Sequence, residues 1–284
     1  MTTLANSLSD FLAAHPSAAL VEVSSAKGST PREKGAWMLV APRRIFGTIG
    51  GGQLEYMAID KARQMLRTPT FRKMGTVILD IPLGPEIGQC CGGRVGLSVR
   101  MVDRIVTRDL TTAAAAQDAA RPTAYIFGGG HVGRALAASL RLLPLRPIVV
   151  ETRAEELKDL PDGVEARLTP VPEEVVRNAP AGSAFLILTH DHALDFLIVS
   201  EALRRDDAAY VGMIGSKSKK ATFKSWYLKN ANGTERAFSR LVSPIGGDGL
   251  RDKRPSVIAA LAAAEVMTAL ALHQAKANMQ PATA

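Results

Sequence analysis

The sequence predicts an α/β protein in two parts, an N-terminal α+β domain followed by a Rossmann-like domain built on a doubly wound parallel sheet. Three observations predict it. Residues 123–127 are a short apolar run leading into Gly128-Gly129-Gly130-His131-Val132-Gly133, followed by a helical stretch, a second apolar run at 147–150 and Glu151. Strand, glycine turn, helix, strand and terminal acid together mark a dinucleotide-binding βαβ unit. Apolar runs at 183–188 and 210–214 continue the strand and helix alternation, whereas the first hundred residues carry short strands separated by glycine-rich turns.

With 284 residues, 46% hydrophobic and 22% charged, the chain can bury a sizeable core. The organisation expected is a first domain at 1–106, a linker at 107–122, the Rossmann-like domain at 123–250 and a C-terminal helix and tail at 251–284. No export signal is visible in the polar first ten residues, and no stretch reads as long and apolar enough to span a bilayer, so no membrane association is expected. Two cysteines without a spaced disulfide framework suit a reducing cytoplasm. A formal charge of +8 and a pI near 9.7 favour an anionic partner. That partner is a nucleic acid, a membrane surface or a phosphorylated cofactor, among which charge alone does not choose, and scattered basic residues with an aromatic content of 5% argue against nucleic acid.

Along the first domain, Leu4, Leu8, Phe11 and Leu12 recur at helical spacing, and Pro16 ends the helix. Strands are expected at 18–25 and 36–41, with Lys27-Gly28-Ser29-Thr30-Pro31-Arg32 turning between them. Gly47-Thr48-Ile49-Gly50-Gly51-Gly52 then opens a helix at 53–67, where Leu54, Met57, Ala58, Ala62, Met65 and Leu66 trace one face. Glycine amides at the positive end of a helix dipole form a general anion site, although a tight turn needs the same glycines.

Strands at 76–81 and 95–102 flank Gly88-Gln89-Cys90-Cys91-Gly92-Gly93-Arg94, which holds both cysteines of the chain. Free cysteine is often a small core hydrophobe, but successive side chains of an extended segment point to opposite faces and cannot both enter one core. Thiolates are soft ligands for a transition metal or for sulfur in transit, and Arg94 is near enough in sequence to lower a thiol pKa if the loop folds it back. Residues 107–122, with alanines throughout 113–116, read as a connecting segment with helical tendency.

In the second domain, Glu151 stands where an acid accepts ribose hydroxyls, while Arg153 could pair with a 2′-phosphate, so NAD and NADP both stay open. Thr189-His190-Asp191-His192, with Asp195 beyond, should line the crevice at the carboxyl end of the strand at 183–188. Its His-x-His has metal-ligand chemistry, but Thr189 or Asp191 capping the next helix is the stronger reading. Lys217, Lys219, Lys220 and Lys224 read as a solvated face more than a phosphate clamp. Pro255 starts a final helix at 256–272 whose alanines suit close packing, and the tail beyond His273 is expected to be disordered.

These segments carry a likeness. Gly28-Ser29-Thr30-Pro31-Arg32, the Gly47 to Glu55 stretch, Gly88-Gln89-Cys90-Cys91-Gly92-Gly93, the glycine turn at 128–133 and Thr189-His190-Asp191-His192, with Tyr210-Val211-Gly212-Met213-Ile214-Gly215-Ser216 and Ser243-Pro244-Ile245-Gly246, stand in order over nearly the whole chain. In them the chain resembles the XdhC/CoxI family, in its xanthine dehydrogenase accessory branch. The resemblance implies a chaperone that binds the molybdenum cofactor (molybdopterin) as cargo, supports its sulfuration with a cysteine desulfurase and delivers it to xanthine dehydrogenase. It makes Cys90 and Cys91 the reactive pair, as molybdenum ligands or a persulfide relay. It places Arg32, Gln53, Gln89 and Arg94 on pterin and phosphate, with Gly50, Gly51, Gly52 and Glu55 beside them. The second domain's Gly128, Gly130, His131, Gly133, Glu151, Arg153, His190 and Asp191 would hold a nucleotide. Many relatives carry a cysteine where this chain has Gln53, and the run Gly246-Gly247-Asp248-Gly249-Leu250 is looser than the family's Pro-Ile-Gly-Leu.

The leading expectation is therefore an accessory protein rather than a catalyst, expected as a homo-oligomer. The alternative is an NAD(P)-dependent oxidoreductase using the Rossmann-like domain, with His190 as acid or base. A third class is a redox-responsive interaction protein that toggles Cys90 and Cys91.

Overall fold

A computed structural model describes residues 3–68, 75–85, 92–247, 249 and 252–279. The chain divides into two compact units, one ending at Ala119 and the other beginning at Ala120.

The first unit is a five-stranded antiparallel sheet of β1 (Ala19–Lys27), β2 (Trp37–Val40), β3 (Ile45–Gly47), β4 (Thr76–Pro82) and β5 (Arg94–Met101), ordered β3-β2-β1-β5-β4. Alternation along β1 assigns its faces. Ala19, Val21 and Val23 pack with Leu54, Ala58, Ala62 and Met65 of α2 (Gly52–Arg67), while Leu20 packs with Leu8 of α1 (Leu4–Ala14) and Val106 and Ala114 of α3 (Arg104–Ala119). Met57, expected on the buried face of α2, is exposed.

Helix α3 corrects the expected linker at 107–122. Asp103 caps it by accepting from the Val106 amide at 2.8 Å, and near its far end the Asp118 carboxylate accepts from the amides of Leu4 and Ala5 at 3.2 and 2.9 Å. Its alanine run has high helix propensity and small side chains that let α1 approach closely, so a segment poor in large apolar residues still closes a core.

The second unit is a six-stranded parallel sheet of β6 (Thr123–Phe127), β7 (Arg146–Glu151), β8 (Glu165–Leu168), β9 (Ala184–Ile187), β10 (Tyr210–Met213) and β11 (Leu241–Val242), ordered β11-β10-β9-β6-β7-β8. That is the doubly wound order, with its switch point between β6 and β9. Helices α4 (His131–Leu140), α5 (Pro172–Arg177), α6 (His192–Arg204), α7 (Lys217–Asn230), α8 (Glu235–Phe238) and α9 (Pro255–Met279) accompany it. Two buried clusters form its core: Phe127, Phe185, Ile198 and Phe223 lie in one, and Ile126, Leu136, Leu186 and Val266 in the other.

Helix α9 overturns two expectations. It continues through His273 to Met279, so the described part of the tail is helical. Residues 255–277 are also long and apolar enough, by length and composition, to cross a membrane. Here the helix buries Ala259, Ala262, Ala263, Val266 and Leu270 in the cluster that holds Leu136, Ala137 and Leu140 of α4. Alanine raises mean hydropathy, and these alanines meet a neighbouring helix.

Candidate functional site

Three glycine-bearing segments meet at one end of the first sheet. The segment after β1 forms a parallel bridge from Ser29 to Gly92, and any side chain at Gly93 would collide with the Ser29 carbonyl. The Gly92 amide donates to the Leu83 carbonyl at 2.9 Å, and the Leu83 amide donates to the Gly93 carbonyl at 2.8 Å. On the other side, Pro31 and Arg32 close over Gly50. Gly50 has φ 122°, and a Cβ there would run into that of Pro31, so only glycine fits. The motif Gly28-Ser29-Thr30-Pro31-Arg32 is thus clasped between the loop opening α2 and Gly92-Gly93.

Cys90, Cys91 and Gln89, expected as sulfur donors and cofactor ligand, lie outside the described residues. Arg94 is described. It makes a forked pair across the sheet with Asp80, Nε to Oδ1 at 2.7 Å and a terminal nitrogen to Oδ2 at 2.6 Å. The hydrogen bonds hold the Asp80 carboxyl below its usual range and the Arg94 guanidinium above its own. Arg94, expected on a thiol or a phosphate, is paired with Asp80, and both side chains are more than half exposed.

The triple glycine was expected to present amides to a bound anion, with Glu55 beside it on the ligand. Instead Glu55 is itself the anion. Its Oε2 accepts from the amides of Ile49 and Gly51 at 3.0 and 3.2 Å and from the Thr48 hydroxyl at 2.5 Å, and that hydroxyl accepts from the Gly50 amide at 3.0 Å. A carboxylate at the start of a helix is favourably placed against the dipole. Gly52 and Gln53 are exposed on the first turn of α2, and Arg32 is exposed beside Gly50.

The second unit repeats this device. Gly128 packs so closely on β9 that a Cβ would lie 2.6 Å from the Leu188 carbonyl, and Gly133 rests on the carbonyl of Gly128, seating α4 against β6. Gly130 caps α4 with open space around it, and His131 is exposed on the first turn. Glu151, only 5% exposed, spends its carboxylate inside the protein: Oε2 accepts from the Gly129 amide at 2.9 Å, and Oε1 from the amides of Thr152 and Arg153 at 2.8 and 3.2 Å. Burial alone would raise its pKa, but these donors and the charge of Arg153 outweigh burial and hold it below the usual range.

Glu151 and Arg153 are the residues expected on ribose and phosphate. Glu151 braces the glycine turn, and Arg153 lies 3.7 Å from Glu151 and 3.3 Å from Glu156. The short 3₁₀ turn Ala154–Leu157 brings the Glu156 carbonyl within 2.7 Å of where a Gly129 Cβ would stand.

At the carboxyl end of β9, Asp191, expected on a nucleotide, caps α6, accepting from the amides of Ala193 and Leu194 at 2.8 and 3.4 Å. His190 and His192 are exposed. No group of three or more metal-binding side chains occurs among the described residues. Asp195 is fully buried; Oδ1 accepts from the Thr189 amide and hydroxyl at 3.0 and 2.7 Å, and Oδ2 pairs with Lys219. That lysine is 9% exposed, so the solvated-face reading fails for it. Lys220 donates to the Ser243 carbonyl at 3.3 Å, and Lys224 pairs with Glu235 at 3.1 Å.

Sequence reasoning missed the Lys219 pairing because 24 residues separate it from Asp195. It also missed Glu265, whose Oε2 accepts from the Tyr210 hydroxyl and the Gly246 amide, both at 2.8 Å. Glu55 left a legible signal, an acid one turn after a helix-opening glycine, in the manner of a capping box.

Comparison with known proteins places this geometry. A model described as the XdhC Rossmann domain matches residues 124–266, and one described as the XdhC and CoxI family matches residues 11–77. The uncharacterized protein YqeB of Escherichia coli (strain K12) is 26% identical over 267 residues, covering 88% of this chain and 43% of YqeB, so the chain spans less than half of that relative's length. A crystal structure described as a xanthine dehydrogenase from Bacillus halodurans shares the fold, with a TM-score of 0.78 at 16% identity over 99% of this chain and 98% of that one. With both units matched by its models, in sequence order, this chain belongs to the XdhC and CoxI family.

Proposed function

We propose that this chain serves the maturation of a xanthine dehydrogenase by binding the molybdenum cofactor, holding it while a cysteine desulfurase supplies sulfur, and handing it to the target enzyme. The observation that carries this reading is the clasp in the first unit, where residues 28–32 bridge the α2 glycine loop and Gly92, the residue that follows Cys91 in the chain. Cargo lodged at this clasp would find Arg32 and the exposed first turn of α2 for its phosphate, and the two cysteines of the sequence immediately precede Gly92 in the chain. Family membership supports the same role.

The test is expression in cells that make molybdopterin, followed by release and assay of bound cofactor and by reconstitution of a cofactor-free xanthine dehydrogenase. Parent protein is expected to carry cofactor and restore activity, and a Cys90→Ala, Cys91→Ala variant to lose transfer. Equal transfer by the double variant removes the thiols from the role, and parent protein without cofactor removes the role itself.

A second reading, a nucleotide held by the second unit, is favoured by the open space around Gly130 at the start of α4. NAD(P) would approach there with its pyrophosphate. Because the Glu151 carboxylate already accepts from Gly129, Thr152 and Arg153, a ribose would have to share it. Calorimetric titration with NAD and NADP tests this directly.

A further inference from the structure

Helix α2 carries a second stripe, on the side away from Leu54, Ala58 and Ala62. Tyr56, Asp60, Arg63 and Arg67 follow one another at helical spacing there, and together with Arg43 and Ile45 they line a surface pocket of about 270 Å³. Small-molecule sites run to roughly 300–1,000 Å³, so this one is sized for a single side chain. The pocket is positive. Three arginines stand against one acid, and the Asp60 carboxylate already accepts from the Gln64 side-chain amide at 2.8 Å. Among the described residues Arg43, Arg63 and Arg67 have no ion-pair partner, and the Nε of Arg63 is buried with no hydrogen bond. A buried donor left unmet is unfavourable, and an incoming acceptor relieves it. The surrounding surface is apolar and aromatic: Ile45, Tyr56 and Met57 are 41, 67 and 37% exposed. Tyrosine, methionine and arginine are the residue types enriched where proteins meet.

These groups select a partner. A nucleic acid backbone would use the arginines and leave Ile45 and Met57 in water, and one exposed ring is no stacking platform for successive bases. An anionic bilayer rewards cations spread along a face, whereas here they converge on a concave pocket that also holds an acid. A carboxylate on a protein chain enters the pocket, forks onto a guanidinium plane, and brings apolar neighbours to cover the exposed rings and methyls. We infer that this face of the first unit docks an acidic segment of a partner protein, with one aspartate or glutamate side chain among Arg43, Arg63 and Arg67 and an apolar neighbour against Tyr56 and Ile45. The acid and its apolar flank rest on the face itself; the partner's identity as the dehydrogenase that receives the cargo rests on the proposed function.

The probe is a cofactor-free xanthine dehydrogenase, titrated onto the immobilised full chain. Arg63→Glu with Arg67→Glu is expected to raise its Kd about ten-fold or more, while Arg104→Glu with Arg108→Glu, the same change of charge at exposed positions of α3, changes it less than about three-fold. An Arg63→Lys variant treated with a water-soluble carbodiimide is expected to form an amide between position 63 and an aspartate or glutamate of the dehydrogenase, the reagent leaving as its urea. A Kd unmoved by the Arg63, Arg67 reversal, equal weakening by the α3 reversal, or no crosslink at position 63 overturns the face. Binding of the parent to phosphatidylserine vesicles that the Arg63, Arg67 reversal abolishes assigns the face to a membrane instead, and a parent dimer that the same reversal dissociates assigns it to a second copy; either overturns the partner segment. Failure here is separable from failure of the proposed function: a reversal variant that carries molybdopterin and binds the dehydrogenase as the parent does overturns the face alone, and a parent without molybdopterin whose dehydrogenase binding is lost on reversal overturns the chaperone role alone.

Discussion

The ammonium of Lys219, in the first turn of α7, reaches the fully buried carboxylate of Asp195, in the first turn of α6, and thereby joins the loops that follow β9 and β10. Asp195 also holds Thr189, so one carboxylate fixes both rims at this end of the sheet. Removing one member leaves the other charged and buried. Asp195→Ala is expected to cost about 3–5 kcal/mol in urea unfolding, whereas a paired Asp195→Leu, Lys219→Met replacement should recover most of it. A single variant as stable as the parent would mean that the pair does not persist in solution.

Glu151 predicts an acid dependence. Its folded pKa is depressed, so its contribution is complete above its ordinary value of 4.5 and is lost as pH falls through the folded value. Glu151→Gln should lower the urea midpoint at pH 7 and shrink the difference between midpoints at pH 7 and pH 3. A variant that keeps the parent's full acid sensitivity would assign that sensitivity to other carboxylates, such as Glu165 and Asp207, which are shifted the same way.

Glu55 is testable amide by amide. In Glu55→Ala, hydrogen exchange at Ile49 and Gly51 should accelerate while exchange within the sheet stays unchanged, with a stability loss of about 1–2 kcal/mol, the size of a lost helix cap. Uniform acceleration across the unit would point to general loosening instead.

Gly50 and Gly51 separate two costs. Both have positive φ, 122° and 77°, but only at Gly50 does a Cβ collide, with Pro31, while at Gly51 nothing lies within 4 Å. Gly51→Ala should cost the backbone penalty alone, about 1–3 kcal/mol, because φ 77° with ψ −171° is a region open almost only to glycine. Gly50→Ala should cost more, because Pro31 and Arg32 must give way to the added methyl.

Local pattern carried the fold far. Strand β6 stands at 123–127 as expected, because five apolar residues before a glycine turn leave few alternatives, and the unbroken burial of β9 and β10 follows from their apolar runs. The short strands β3, β8 and β11 were not legible. Strand β8, with Glu165 and Arg167 held by neighbouring charges, has no apolar run to declare it. Site residues were legible as types and positions but not as partners. Whether a carboxylate faces a ligand or its own backbone depends on how closely the next loop approaches, and at Glu55, Glu151 and Asp191 the nearest donors were the chain's own amides. Lys219 misled for a related reason, since a buried partner far along the chain leaves no mark on local composition.

The alanine seam joining α9 to α4 has a consequence for inheritance. Helix α4 begins at the glycine turn, and its inner side shares a core with Ala259, Ala262 and Ala263. An extra methyl or two at those alanines would push α4 outward and shift the turn at its head, because close-packed interiors pass on small changes in volume. Lineages that alter the glycine turn should therefore carry matched changes on the last helix, more than a hundred positions away, at residues that never meet whatever the turn holds.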